Sequence, residues 1–385
     1  MIPLRVALIA DFIEERWASM DRVAEALAER LARNHGGELT PVLIRPLLQR
    51  RLTLRAISSR GLENADRLIN RFYDYPAYLQ RRRTEFDVFH IIDHSYAHLV
   101  DCLPAARTVV TCHDLETFRC LLEPEREWRP IIFRAMTRRI LRGLTHAAAV
   151  SCVSASTRAE LIRFGIANER RSVVIANGVD EIFSPVANPH ADAEAARLLG
   201  LAHDGRPELL HVGAPVRRKR IDILLGVFAR LRQRWPSAWL VRVGGDLPRE
   251  AAALASQLGV ADAIATVPHV SSAVLAAIYR RAALLLITSE AEGFGLPMVE
   301  ALACRTPVLA SDLSSLREIG GDAADYAPVG DVEQLFRVAD QLLRAREGDP
   351  ASWIRRREAA ISRAQQFSWD AAAARTAALY HTVAG

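Results

Sequence analysis

The stretch ITSEAEGFGLPMVEALACRTPVLASD, residues 287–312, runs through strand, loop, helix and strand again within one short segment. Its apolar start ends near Ser289, and a loop then carries Glu292, Gly293, Phe294 and Gly295. Pro297 suits the first turn of a helix, where a missing N–H leaves no hydrogen bond unmade. PVLAS at 307–311 restores a strand. The two glycines let backbone amides come close to a ligand, and the helix start aims unpaired N–H groups at the same point. Glu300 falls about one turn inside the helix, where spacing alone makes it equally a partner of the helix dipole. One carboxylate on a loop and one on a helix give no particular support to glycoside hydrolysis, which needs two carboxyl groups flanking one bond.

The same alternation extends outward in both directions. Short apolar strands are expected at 4–10, 40–44, 88–92, 108–112, 147–153 and 172–176, and again at 208–213, 238–244, 263–268, 283–289 and 307–311, with amphipathic helices between them. Strands alternating with helices make an α/β protein with parallel sheets. Between 183 and 207 the pattern breaks into SPVANPHADAEAARLLGLAHDGRP, which reads as a linker. The expected division is residues 1–182, the linker 183–207, a second domain 208–366, and a last helix 367–385. Open parallel sheets bind ligands beyond the carboxyl ends of their strands, so the loops that follow the strands carry most weight.

At 385 residues the chain exceeds one ordinary core and calls for two domains. No run of 18 apolar residues is present, and MIPLRVALIADF has none of the marks of a signal peptide, so a cytoplasmic protein is expected, with contact to the inner face of the membrane as an option. Five cysteines without metal-ligand spacing read as reduced structural thiols, and neither a metal nor a cofactor is expected. The net charge of +5 suits acidic partners such as phosphates or anionic lipid. In EREWRPIIFRAMTRRILRGL, residues 125–144, Trp128, Ile131, Ile132, Phe133 and Ile140 accompany several arginines. The segment is expected to be one helix, read either as a solvated face with arginine stems over apolar surface or as a membrane-surface contact. The arginine clusters at 45–60 and 79–83 add to the basic character of this half.

HVGAPVRRKRIDILL, residues 211–225, holds Lys219, the single lysine among 50 basic residues. Apolar residues from Ile221 to Trp235 recur at helical spacing, so Arg217, Arg218, Lys219 and Arg220 crowd a helix N-terminus, where each cation opposes the helix dipole. Asp222 offsets only part of that charge. Such a concentration is either tolerated on a solvated surface or used to hold an anion such as phosphate.

On these motifs the sequence resembles the retaining glycosyltransferases of family 4, also called group 1, whose GT-B fold sets two Rossmann-like domains with parallel sheets about a central cleft and returns a C-terminal helix to the first domain. EGFGLPMVE matches their signature of two glutamates with seven residues between them, Glu292 and Glu300. ANGVDEIF at 176–183, TVVTCHD at 108–114, LAAIYRRAALLLITS and the terminal FSWDAAAARTAALY extend the match over most of the chain. The resemblance implies that Glu292 contacts the donor sugar, that Glu300 holds the ribose hydroxyls, and that the amides of Gly293, Phe294, Gly295 and Leu296 face sugar and diphosphate. It implies that His113 contacts the donor sugar, and that Arg218 and Lys219, in the loop after Gly213, bind the diphosphate. The expected partners are a nucleoside-diphosphate sugar of UDP or GDP type and a glycan or lipid-linked glycan acceptor, with anionic membrane as a further contact and no nucleic acid.

The departures are specific. Ala214 stands where members often have arginine, so the phosphate role falls to Arg218, with Arg217 or Arg220 as alternatives. Arg305 replaces a common glycine, and Ala283 a common aspartate. DFIEERWASMDRVAEAL at 11–27 replaces a glycine-rich loop; within it Ser19 is a candidate helix cap and Trp17 a candidate stacking surface for acceptor sugar. VPHV at 267–270 is a candidate for base contacts. A GT-B epimerase or phosphorylase is the nearest enzymatic alternative, and an arginine-rich nucleic-acid binder is the alternative of a different class. A dehydrogenase and a P-loop nucleotidase both fail on glycine spacing.

Overall fold

The computed structural model describes residues 2–15, 17–53, 60–200 and 205–385, with Arg60 described by its backbone alone. Residues 54–59 of the first arginine cluster, Arg16 of the 11–27 segment and residues 201–204 of the expected linker lie outside the described residues. The chain forms two compact units, Met1–Gly178 with Trp369–Gly385, and Val179–Ser368.

In the first unit the strands are β1 (Leu4–Ile9), β2 (Leu39–Ile44), β3 (Val88–Ile91), β4 (Thr108–Cys112), β5 (Ala149–Cys152) and β6 (Ser172–Val174). They form one parallel sheet in the order β2-β1-β3-β4-β5-β6. Val6, Ala7, Leu8 and Ile9 are all buried, as expected of a strand covered on both faces. Ile9 stands opposite both Ile44 and Ile91, so β1, β2 and β3 end together and their following loops share one edge. The last helix, Trp369–Ala384, belongs to this unit. The Asn34 side-chain amide donates to Asp370 at 2.7 Å, and the buried Tyr380 hydroxyl meets His90 Nδ1 at 2.6 Å.

The second unit carries β7 (Glu208–Val212), β8 (Trp239–Val243), β9 (Ile264–Val267), β10 (Leu284–Ile287), β11 (Val308–Ser311) and β12 (Asp325–Ala327). Its parallel order is β12-β11-β10-β7-β8-β9, with its own apolar core beneath. Strand order reverses between β10 and β7, and such a reversal opens a crevice at the carboxyl ends of the two strands concerned. Eleven strands lie within a residue or two of their expected positions; β12 was not expected.

Three local expectations are corrected. Within the stretch read as a linker, Pro189–Leu199 is a helix of the second unit. The Asn188 side chain accepts from the Ala191 amide, Pro189 takes the first turn, and Asp192 pairs with Arg280 at 2.6 Å, so Asn-Pro here starts a helix rather than breaking one. Ser19 does not cap its helix, because Ala18–His35 begins one residue earlier with Trp17 at the cap position and no side-chain cap. The helix expected over 125–144 runs instead from Ile131 to His146, since Pro130 occupies the position before its first turn.

Candidate functional site

Both loops at the strand reversal of the second unit come from motifs singled out above. After β7 the chain passes Gly213, turns through Arg217–Lys219 as a short 3-10 segment, and enters the helix Ile221–Arg234 by way of Arg220. Arg220 has a left-handed backbone with φ of 48°, uncommon for any residue other than glycine. After β10 the chain passes Thr288 to Gly295 and enters the helix Leu296–Ala303.

The two loops are bonded to each other. Thr288 Oγ1 donates to the Lys219 carbonyl at 3.0 Å, and the Glu290 amide donates to the Arg218 carbonyl at 2.8 Å. Lys219 Nζ then reaches Glu292 Oε1 at 2.5 Å, while Arg218 Nη1 donates to Glu292 Oε2 at 3.1 Å and to the Ala291 carbonyl at 3.0 Å. Ser289 Oγ adds a bond to Glu292 Oε1 at 2.7 Å, and Ser315 Oγ donates to the Glu292 carbonyl at 2.5 Å. Burial by itself pushes the Glu292 carboxyl up, but Lys219, Arg218 and the Ser289 hydroxyl outweigh it and hold the group at about 2. Glu292 is therefore a buried carboxylate clamped by two cations.

The charge conflict foreseen at the start of Ile221–Arg234 disappears in this arrangement. The 3-10 turn sets Arg217–Lys219 ahead of the helix, Arg218 and Lys219 share Glu292, and Arg220 pairs with Asp222 at 2.7 Å and Glu290 at 3.4 Å. Arg217 is exposed, so Arg218 is the arginine that joins Lys219.

Beneath the clamp the strand ends are closely packed. Arg242, wholly buried on β8, donates to the Gly213 carbonyl at 3.2 Å and to the Gly245 carbonyl. Gly244 has φ of 122°, and a Cβ there would lie 2.4 Å from the Gly213 carbonyl oxygen, so no larger residue fits. His211 on β7 is buried, and desolvation followed by repulsion from Lys219 lowers it to about 3. A pocket of about 10 Å³, room for roughly one water, is lined by His211, Lys219, Ser289, Glu292, Gly295 and Pro297.

The remaining expected residues separate into three situations. Gly295 starts the helix Leu296–Ala303 with φ of 89°, so Gly293 to Leu296 lead into the helix N-terminus. The Phe294 ring is buried edge-on against Phe367 at 5.7 Å, which leaves its backbone as the part available to a ligand. Glu300 is buried in that helix and accepts from the Tyr279 hydroxyl at 2.9 Å. His113 lies in the first unit, just beyond β4. Its Nε2–H donates to the Ile92 carbonyl at 2.8 Å, its amide donates to His94 Nδ1 at 3.2 Å, and burial keeps the imidazole below its ordinary pKa.

A doubly wound second unit whose basic loop and two-glutamate loop meet at the strand reversal is matched by family comparison. Residues 199–366 match the family described as Glycosyl transferases group 1, and residues 20–183 match Glycosyltransferase Family 4. The chain belongs to the group 1, family 4 glycosyltransferases. D-inositol 3-phosphate glycosyltransferase 1 of Catenulispora acidiphila is 34% identical over 242 residues, covering 57% of this chain and 53% of that protein. MMP alpha-(1->4)-mannosyltransferase of Mycolicibacterium hassiacum is 31% identical over 278 residues, 66% of this chain and 60% of that protein. This glycosyltransferase-family chain thus spans little more than half the length of the curated relatives it matches. The fold is that of sucrose-phosphate synthase from Thermosynechococcus elongatus, with a TM-score of 0.73 at 23% identity over 98% of each chain. HepE of Anabaena, solved in complex with UDP and glucose, shares it at a TM-score of 0.73 and 16% identity, over 98% of this chain and 100% of that one.

Several residues of this family member's site escaped the sequence reading. Arg242 had a visible signal, a lone cation inside the apolar run AWLVRVG. His211, Ser289, Tyr279 and Ser315 had none, because ordinary polar residues acquire meaning here only through the neighbour each one meets.

Proposed function

We propose that this chain is an anomer-retaining, metal-independent hexosyltransferase that moves a sugar from a nucleoside-diphosphate donor of UDP or GDP type to a glycan or lipid-linked acceptor in cell-surface polysaccharide synthesis. The observation that carries the reading is the joining of residues 217–220 to residues 288–292 at the strand reversal, with Arg218 and Lys219 converging on Glu292. The UDP and glucose bound in HepE support the donor class, and the mannosyl transfer named for the mycobacterial relative supports a hexose.

The chemistry follows from charge. Transfer breaks the bond between the anomeric carbon and a phosphate oxygen, and negative charge grows on the departing diphosphate. Arg218 and Lys219 then exchange part of their hold on Glu292 for the phosphate oxygens, stabilising the transition state more than the ground state. The amides of Gly293 to Leu296 add donors at the positive end of the helix dipole. Glu292 is released toward the sugar hydroxyls, and Glu300 takes the ribose hydroxyls. In a retaining reaction the leaving phosphate oxygen accepts the acceptor's proton on the same face of the sugar, so the protein supplies no nucleophile.

Thermal shift with nucleoside diphosphates and their sugars tests the donor site. A ligand at a hundred times its dissociation constant adds about 2.7 kcal/mol of stability. Lys219→Ala and Glu300→Ala should both abolish that response, and unchanged donor binding and transfer in both variants would overturn the assignment. A requirement for a second, acceptor glycan separates transfer from epimerisation.

A further inference from the structure

Trp128, Ile131 and Ile132 are 79%, 80% and 72% exposed, and Phe133 is also exposed. Ile131 and Ile132 lie bare at successive positions in the first turn of the helix Ile131–His146, so that helix end stands out from the body of the first unit, while Phe133 is 37% exposed with the Arg129 guanidinium 5.2 Å from its ring centre. A solvated amphipathic helix instead hides one face, as this helix does further along, where Thr137, Ile140 and Leu144 are buried.

The helix behind this end is basic. The helix carries Arg134, Arg138, Arg139 and Arg142 and no carboxylate, and neither an acidic residue in its first turn nor a side-chain cap offsets its dipole. The preceding loop adds Arg126 and Arg129 against Glu123, Glu125 and Glu127, with Arg126 paired to Glu123 at 3.2 Å and Arg129 to Glu127 at 2.6 Å. Asp101 faces the far end, beside Arg139 and Arg142. Five arginines against three glutamates lie within residues 123–139.

Topology places this end. The helix connects β4 to the parallel strand β5, so it must run back along the sheet and begin at the carboxyl edge, where β1, β2 and β3 also finish. Exposed Ile13 and Trp17 follow β1 on that edge, and exposed Leu47 follows β2. The exposed apolar residues after three strands therefore share one edge of the first sheet.

We propose that this edge, led by Trp128, Ile131, Ile132 and Phe133, docks on the surface of an anionic phospholipid bilayer. Charge and shape select that occupant. The apolar tips enter the boundary between headgroups and acyl chains while arginines and uncapped helix amides meet lipid phosphates. A convex tip of a few side chains falls short of the ~800 Å² per partner of a standard protein interface, whereas a bilayer yields around it. The link to glycosyl transfer rests on the function proposed above: an acceptor carried on lipid would then be presented at the edge where ligands bind an open parallel sheet.

Co-sedimentation of the full chain with phosphatidylglycerol-containing vesicles and with pure phosphatidylcholine vesicles tests the docking. The chain should pellet with the anionic vesicles and much less with the neutral ones, and added salt should release it. Ile131→Ser combined with Ile132→Ser should weaken binding by about tenfold or more, as should Trp128→Ser, which leaves the helix itself untouched. Failure to pellet with anionic vesicles at low salt, or wild-type binding by both serine variants, would overturn the proposal. So would a lipid-free dimer that the same variants dissolve, because a second copy would then cover the patch. Each variant is also assayed for its thermal response to nucleoside diphosphates. A retained response certifies the fold, and its absence in the wild-type chain would count against the donor reading while leaving the vesicle result to stand on its own.

Discussion

Lys219 holds Glu292 at 2.5 Å with both side chains largely buried, and this pair sets the behaviour of the second unit's site at the scale of single residues. Removing one partner of a buried pair leaves the other charge uncompensated, so Lys219→Met should lower stability by about 3–5 kcal/mol, measurable by urea unfolding, as well as removing the diphosphate response. Arg218 is more exposed, and Arg218→Ala should weaken the transition state by about 1.5–3 kcal/mol, a ten- to hundredfold fall in kcat/KM, while costing less stability. Arg305 offers the opposite case. It follows the helix Leu296–Ala303 with φ of 62°, a left-handed backbone that suits glycine, so arginine carries strain there. Arg305→Gly should raise stability by about 1 kcal/mol, seen as a higher unfolding midpoint without change in activity.

At the scale of elements, the site depends on how two strand ends and one helix start are held. Gly295 gives the helix Leu296–Ala303 its left-handed entry, and a Cβ there would lie 2.7 Å from Leu316 Cδ2. Gly295→Ala should therefore destabilise the second unit by about 1–3 kcal/mol and misdirect the first amides, lowering donor affinity. Arg242→Met should act from further away, since the native guanidinium braces the Gly213 and Gly245 carbonyls. Its expected signature is a raised donor KM with little loss of kcat once donor saturates, and a fall in kcat alone would show that the brace serves another step. The Glu292 carboxylate stabilises the second unit above its ordinary pKa of 4.5, and that contribution should fade as pH falls from 4.5 towards 2.

Across the whole molecule, buried imidazoles set the acid limit, His113 among them. Burial lowers His90 and His98 in the first unit and His211 in the second to about 3, against an ordinary value of 6.5. They stay neutral in the fold and gain protons on unfolding, so stability is fully present above pH 6.5 and declines below it. Each contributes about 1.4 kcal/mol per pH unit once the unfolded imidazole is charged. Asp11 opposes them, because burial and the neighbouring Asp93 carboxylate push its carboxyl well above the ordinary carboxylate range. Urea unfolding at successive pH values between 7.5 and 4.5 should show the decline starting near pH 6.5; a flat profile down to pH 5 would mean that these histidines are already charged in the folded chain.

How much of this was legible from residues alone depends on whether the signal is local. Alternating apolar runs determined the α/β class and eleven strands, because burial on both faces of a parallel strand demands continuous Val, Ile, Leu and Ala. EGFGLPMVE and the lone lysine pointed to the donor loops, because glycine, proline and clustered charge are constraints written into a few adjacent residues. Strand order was not local, and only the folded sheet places β7 beside β10, bringing residues 217–220 to residues 288–292 across some seventy positions of sequence. The same holds for the partner that neutralises Lys219, the brace supplied by Arg242, and the helix hidden in the expected linker. Each is decided by which groups compete for a buried position, and desolvation sets that competition only after the chain has packed.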